Sequence, residues 1–414
     1  MSRRVVVTGL GMVTPLGHNV EQSWNAIKAG RSGVGPITRF DPSDFQVRIA
    51  AEVKGWNAED YMPAKEVRRR DRYQHFVVAA AQEAVQQAGL QVSSDSRWRV
   101  GVIIGSSVGG VESYYNEVQM LLEVGDPRRI TPFGIPMLVV NGGSNLVSIG
   151  LGACGPSSPP ISACATGADC IGHAFDLIRW GRLDQAIAGC GDAPIFPIGI
   201  AAFDRVGACS RLNDDPERAS RPFDKNRTGL VFSEGGAVIV LEELEVARSR
   251  GATILAEMIG YGSTSDAFHI TAPDPEGQGA SMAIQLALED AGLAPSDIHY
   301  INAHGTATAL NDVMETKAVK RVFGSHAYRV PMSSTKSMTG HGMGATAAME
   351  SIFAVLALRD QIAPPTINLT DPDPECDLDY VPNVARPVAM SQVMTNSFGF
   401  GGHNVSLIFK AVAG

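Results

Sequence analysis

The chain has 414 residues, 44% of them hydrophobic and 19% charged, with 44 glycines. That is ample for a large core or two fused half-domains, and the low charge argues against a disordered or coiled-coil protein. A net charge of −9 disfavours general nucleic-acid binding, and no stretch approaches the length of a membrane span.

The chain begins with Ser2-Arg3-Arg4 and then Val5-Val6-Val7-Thr8-Gly9-Leu10-Gly11. This is too short and too broken by glycine for a signal peptide, and a buried first strand is expected instead. Gly9-Leu10-Gly11-Met12-Val13-Thr14 falls short of a dinucleotide-binding turn. Its sixth position is Thr, and Pro15 interrupts the helix that should follow. A helix ends at Ala88-Gly89-Leu90, with Gly89 as C-cap, and the apolar strand Val100–Gly105 comes next. Gly105-Ser106-Ser107-Val108-Gly109 then matches the Gly-x-Ser-x-Gly elbow of hydrolases. No good helix is expected directly after it, and a hydrolase leaves the cysteine and histidine turns further on without a role.

Cys164 lies in Ser162-Ala163-Cys164-Ala165-Thr166-Gly167-Ala168, which opens a helix expected to run to about Trp180. A thiolate at a helix N-terminus is favoured by the helix dipole, and the free N–H groups there can serve as an oxyanion hole. Most free cysteines are small buried residues, and Cys154, Cys170, Cys190 and Cys209 are read that way. The six cysteines form no Cys-x-x-Cys pair and no zinc-like spacing, so they are read as reduced, cytosolic thiols with no metal.

The second half echoes the first. Ala287–Leu293 ends a helix at Ala-Gly-Leu, as Ala84–Leu90 does, and Ile298–Asn302 forms the following strand. Asp95 and Asp297 precede the two strands, and the opening strand is echoed by Glu257–Gly262. Two related α/β halves, 1–250 and 251–414, are therefore expected to meet near residue 250. His304 lies in Asn302-Ala303-His304-Gly305-Thr306, just past the second strand. His341 lies in Gly340-His341-Gly342-Met343-Gly344, opening a helix that is the counterpart of the one after Cys164. The dipole should keep His341 neutral, able to donate one N–H to a developing enolate oxygen, with His304 as a second donor. Lys336 is placed at the pocket edge, with Glu350 as its ion-pair partner. A thiol with two neutral imidazoles is a kit for acyl or carbon chemistry on a thioester.

The segments carrying Cys164, His304, Lys336 and His341, in that order, resemble the β-ketoacyl-acyl-carrier-protein synthases, most closely their synthase II type. The resemblance runs from Val7–Gly17 to Asn396–Gly402. It implies the thiolase-type five-layer α-β-α-β-α fold, a cytoplasmic homodimer and a place in fatty-acid elongation. It also implies no cofactor of the chain's own, since phosphopantetheine arrives on the partner acyl carrier protein. Cys164 would accept the acyl chain, with the N–H groups of Cys164 and Phe400 as oxyanion hole and Phe400 as gate. His304 and His341 would hold the malonyl thioester during decarboxylation, with Lys336 and Glu350 in support. Thr306, Thr308 and Thr271 match positions that bind the pantetheine arm, although Ala272 replaces a frequent Ser. Val108 matches the acyl pocket, where Ile is common. The acidic carrier protein needs a basic dock, and Arg68, Arg69, Arg70, Arg72, Arg128 and Arg129 are the candidates. A further family arginine is replaced by Gly207, with Arg205 and Arg211 nearby.

The ketosynthase subunit of a type II polyketide system carries the same catalytic set. A chain-length-factor-like partner would lack Cys164. A coenzyme A thiolase would want a second cysteine where this chain has Phe398, Phe400 and His403. No acyltransferase or carrier domain is legible, so a discrete synthase is expected.

Overall fold

The computed structural model describes residues 3–412, so Ser2 and the outermost residues of both expected halves lie outside the described residues. The opening segment forms β1 (Val5–Val13), buried along its whole length. It is followed by β2 (Val100–Gly105), β3 (Gln185–Asp192), β4 (Gly235–Glu243), β5 (Ala256–Ser265), β6 (Tyr300–Asn302), β7 (Met332–Ser333), β8 (Gln392–Gly399) and β9 (His403–Lys410). Hydrogen bonds order them β2-β3-β4-β1-β5-β9-β8-β6-β7.

The order reads outward from the middle as the same motif twice. β1 is antiparallel to β4, β4 is antiparallel to β3, and β3 is parallel to β2. In the other arm β5 is antiparallel to β9, β9 is antiparallel to β8, and β8 is parallel to β6, which adds β7. The arms join where Val5–Val7 pair with Ala256–Met258.

Glycines in the two inner strands carry the repeat to atomic detail. A Cβ on Gly9 or Gly11 would sit 2.1 and 1.9 Å from the carbonyl oxygens of Ala84 and Ala80 in helix α1 (Arg72–Ala88). On Gly260 or Gly262 it would sit 2.4 and 2.1 Å from those of Ala287 and Ala283 in the later helix Gln278–Ala291. The opening glycines thus let a helix lie against a strand at backbone distance. Both helices end on a left-handed glycine, Gly89 and Gly292, as the Ala-Gly-Leu echo predicts.

Helix α2 (Val111–Val124) starts two residues after Gly109, against the expectation that no helix follows that turn. Helix α3 (Thr166–Arg179) leads from the Cys164 turn. The helix Gln278–Ala291 is α4, α5 spans Ala309–Phe323 and α6 spans Met343–Asp360. From Met343 to Leu358 α6 is buried on every side, which requires structure all round it. It packs on α3 and on strands of both arms. The result is five layers: α1, one arm of the sheet, the central pair α3 and α6, the other arm, then α4 with α5. No helix among the described residues is long and apolar enough to cross a membrane.

Candidate active site

The central helices aim their N-termini at one place. Cys164 occupies a single 3₁₀ turn, Ala163–Ala165, directly before α3. Ala163 has φ 51°, a left-handed conformation unfavourable for a residue with a side chain. The turn is held from behind, because the Thr166 hydroxyl oxygen accepts the Ser162 N–H at 2.9 Å. The N-termini of α3 and α6 touch at Gly167, whose Cβ would lie 2.4 Å from the Gly344 carbonyl oxygen. No larger residue allows that approach.

His341 lies two residues before α6. Its N–H donates to the Val231 carbonyl at 2.7 Å, and its carbonyl accepts the Ser233 N–H at 3.1 Å. His304 follows β6. The buried Glu315 of α5 fixes its loop by accepting the N–H groups of His304 at 2.8 Å and Gly305 at 2.7 Å. The two imidazoles meet edge to face with ring centroids 5.5 Å apart, and Phe398 packs edge-on against His304 at 5.8 Å.

Cys164, His304 and His341 line one cavity of about 250 Å³, together with Phe398 and Phe400. The Phe400 ring stacks on Phe203 with centroids 6.2 Å apart, and both border the cavity. Phe400 borders the cavity beside Cys164, and the backbone N–H groups of both residues favour the Cys164 thiolate. Thr306 and Thr308 line the same cavity, 2.9 Å apart through their hydroxyls, and Thr271 and Ala272 line it too.

Burial governs the electrostatics. It pushes the Cys164 thiol up to about 11, although the Phe400 N–H and the Lys336 charge pull the other way. This corrects the expectation of a thiolate favoured by the helix dipole: desolvation of the anion exceeds what the donors return. Both imidazoles lie well below the usual histidine range, from burial first and then the Lys336 charge, with His341 adding to the effect on His304. They are neutral as expected, but desolvation and a nearby ammonium are the cause. Lys336 is 1% exposed, so it is no surface lysine, and its charge reaches both cavity imidazoles. Its ammonium donates to both oxygens of the fully buried Glu350 at 2.7 Å. Burial raises the Glu350 carboxyl to about 7 while Lys336 holds it down.

Several expected residues do not join this cluster. Val108 is half-buried and is not among the cavity-lining residues; its N–H is turned to Asp192. Arg72 is no docking residue, because its guanidinium is paired with the fully buried Glu234. Arg69 and Arg70 pair with Glu66, and Arg128 pairs with Asp126. Arg68 and Arg129 are exposed. Cys170, Cys190 and Cys209 are buried as expected, whereas Cys154 is exposed at the end of a glycine turn. Sequence reasoning missed Glu315, Asp192 and Phe203. Asp192 and Phe203 act on partners distant in the chain, Glu315 reaches back 10 and 11 positions to Gly305 and His304, and no local motif marks them.

Residues 2–247 match the family model described as beta-ketoacyl synthase, N-terminal domain, and residues 255–370 match its C-terminal domain. A 3-oxoacyl-[acyl-carrier-protein] synthase 2 from Synechocystis sp. is 49% identical over 99% of this chain and 98% of its own. One of the same name from Coxiella burnetii is 48% identical over 99% of both chains. A beta-ketoacyl synthase from Burkholderia phymatum superposes with a TM-score of 0.92 at 39% identity, covering 99% of this chain and all of its own. A ketosynthase solved with its type II PKS acyl-carrier protein, bound to the hexaketide, gives a TM-score of 0.92 at 34% identity, with full coverage of both chains. With both family domains matched along most of its length and full-length relatives near half identity, the chain belongs to the β-ketoacyl synthase family, acyl-transferring condensing enzymes of the thiolase fold.

Proposed function

We propose that this enzyme elongates a Cys164-bound acyl chain by decarboxylative Claisen condensation with malonyl-acyl-carrier-protein, in fatty-acid elongation. The observation that carries the reading is the convergence of Cys164, His304 and His341 on one cavity.

In the first step the Cys164 sulfur attacks the thioester carbon of the acyl carrier. The N–H groups of Cys164 and Phe400 take the negative oxygen, and the carrier thiol leaves with the proton. The malonyl thioester then enters. Each neutral imidazole can donate one N–H to its carbonyl oxygen, as enolate stabilisation needs, and burial together with the Lys336 charge keeps both neutral. Carbon dioxide leaves, and the enolate carbon attacks the acyl-Cys164 carbon. The sulfur is expelled, and a β-ketoacyl carrier two carbons longer is formed. Thr306, Thr308 and Thr271 hold the pantetheine arm along the cavity wall.

The carrier protein docks at the cavity mouth, with Arg68, Arg128 and Arg129 as the exposed cations among the expected set. The fully buried Glu234 takes Arg72 out of that set. A homodimer is supported by the apolar side chains on the face of α2 and nearby, where Leu122 and Ile149 are each 79% exposed. A cytoplasmic location suits six free thiols. The polyketide reading shares this catalytic set and draws on the 34% neighbour; the 49% relative favours the synthase reading.

Intact-mass analysis after exposure to acyl-carrier-proteins, then malonyl-carrier-protein, tests the assignment. Acylation at Cys164 and a two-carbon extension are expected. His304→Ala should still acylate but lose decarboxylation. Undiminished acylation of Cys164→Ala sinks the nucleophile assignment, and undiminished decarboxylation in His304→Ala sinks the enolate role.

A further inference from the structure

The Gly-x-Ser-x-Gly turn after β2 has no part in the chemistry proposed above, yet it is built into the centre of the molecule. Asp192, the last residue of β3, is fully buried. One of its oxygens accepts the Ser106 hydroxyl at 2.6 Å, the Ser107 N–H at 2.8 Å and the Val108 N–H at 3.3 Å. The other accepts the Ala345 N–H at 3.1 Å and the Cys190 thiol at 3.6 Å.

Ser107 extends the reach of this carboxylate. Its hydroxyl donates to the Ala163 carbonyl at 2.7 Å and accepts the Gly344 N–H at 2.8 Å. Gly344 and Ala345 lie in the first turn of α6, where N–H groups have no partner within the helix. The carboxylate therefore takes up the positive end of a helix that belongs to the other half of the chain. A serine nucleophile needs its hydroxyl free and a base beside it. The Ser107 hydroxyl is engaged on both sides, so the turn is an anchor and no hydrolase elbow.

The two tethers end beside the reacting residues. Ala163 is the strained residue immediately before Cys164, and Gly344 is three residues after His341. Thr166 fixes the cysteine turn within its own half, and Val231 and Ser233 of the first half hold the His341 backbone across to it. The Asp192–Ser107 bridge joins one to the other.

We propose that Asp192, acting through Ser107, is a positioning residue that sets the spacing between the Cys164 turn and the His341 helix. Acyl transfer uses the first and malonyl decarboxylation the second, whereas carbon–carbon bond formation needs both at the correct separation. The inference rests on the condensation reading above.

The test compares Asp192→Asn, Ser107→Ala and the double variant with the unaltered enzyme. The Asn amide turns an N–H₂ towards one of the donor sets that the carboxylate now accepts, so the tie between them is lost. Acylation of Cys164, malonyl-carrier-protein decarboxylation and full condensation are measured separately, with the melting temperature alongside. Condensation is expected to fall thirtyfold or more in Asp192→Asn, with each half-reaction falling fivefold or less. Ser107→Ala should give the same split, and the double variant should be no worse than Asp192→Asn, because the two residues act as one unit. A common fall in all three rates, or condensation within threefold of the unaltered enzyme, overturns the proposal. If Asp192→Asn does not fold, Ser107→Ala decides by the same criterion. Alkylation of Cys164 by iodoacetamide is followed in parallel and needs no carrier protein. An alkylation rate within fivefold of the unaltered enzyme in Ser107→Ala shows the cysteine turn itself intact, as the tether requires, and a larger change overturns the proposal. Failure of the unaltered enzyme to acylate would instead indict the condensation reading.

Discussion

Replacing Lys336 by Met removes an ammonium that is 1% exposed and leaves the fully buried Glu350 carboxyl without its cation. The remaining side-chain donor is the Thr335 hydroxyl at 3.3 Å. Breaking a buried pair from one side costs about 3–5 kcal/mol. The carboxyl can limit that loss by taking a proton. Burial has already raised it to about 7 with Lys336 present, and holding it neutral at pH 7 against an unfolded value near 4.5 costs about 3 kcal/mol. The two routes agree. For a chain of this length a kcal/mol is worth about 1 °C, so the melting temperature should fall by roughly 3–5 °C. The double variant Lys336→Met/Glu350→Gln should recover at least half of the loss, since no unpaired carboxyl is left inside. The change also reaches the chemistry. The Lys336 charge depresses both His304 and His341, so its removal raises their folded values towards the unfolded one. The proposed mechanism uses both imidazoles in the neutral form, each donating one N–H, so the acid limb of malonyl decarboxylation should move to higher pH. Thermal melts of the two variants and the unaltered enzyme, with a decarboxylation pH profile, are the assays. A melting temperature within 1 °C of the unaltered enzyme, or an acid limb that stays in place, would refute the reasoning.

Two further outcomes follow from the packing and charge of the site. With the Cys164 thiol pushed up to about 11, iodoacetamide alkylation should rise about tenfold per pH unit from pH 7 to 10; a plateau near pH 8 would mean that the helix dipole outweighs burial after all. Gly167→Ala should destabilise the fold by about 2 kcal/mol or more, because its Cβ meets backbone of α6 at 2.4 Å. Helix propensity alone favours Ala by about 1 kcal/mol, so a stabilised variant in chemical denaturation would disprove the close contact.

What the sequence determined by itself is what neighbouring residues decide together. The Ala-Gly-Leu helix ends at Gly89 and Gly292 announce left-handed caps, and both are present. The opening strand, the repeat of its pattern after residue 250, and the glycine turns carrying His304 and His341 were likewise legible, because backbone conformation and hydrophobic period are properties of short segments. The resemblance supplied roles that no local pattern contains, such as that of Phe400. Tertiary structure alone decided the charges and the edges of the site. Arg72 reads as part of a basic surface run, but Glu234, 162 positions away, draws it inward. Val108 follows a strand that leads to the centre, yet its N–H is turned to Asp192 and it stays off the cavity wall. Cys164 sits before a helix whose dipole favours the thiolate, but the layers closing over it remove the water an anion needs. Nothing in the sequence marks Asp192, and Ser107 is marked only by the Gly-x-Ser-x-Gly pattern, yet Ser107 reaches 237 positions along the chain to hold Gly344. Burial and pairing between segments this far apart arise only when the chain has folded, so no window of sequence could contain them.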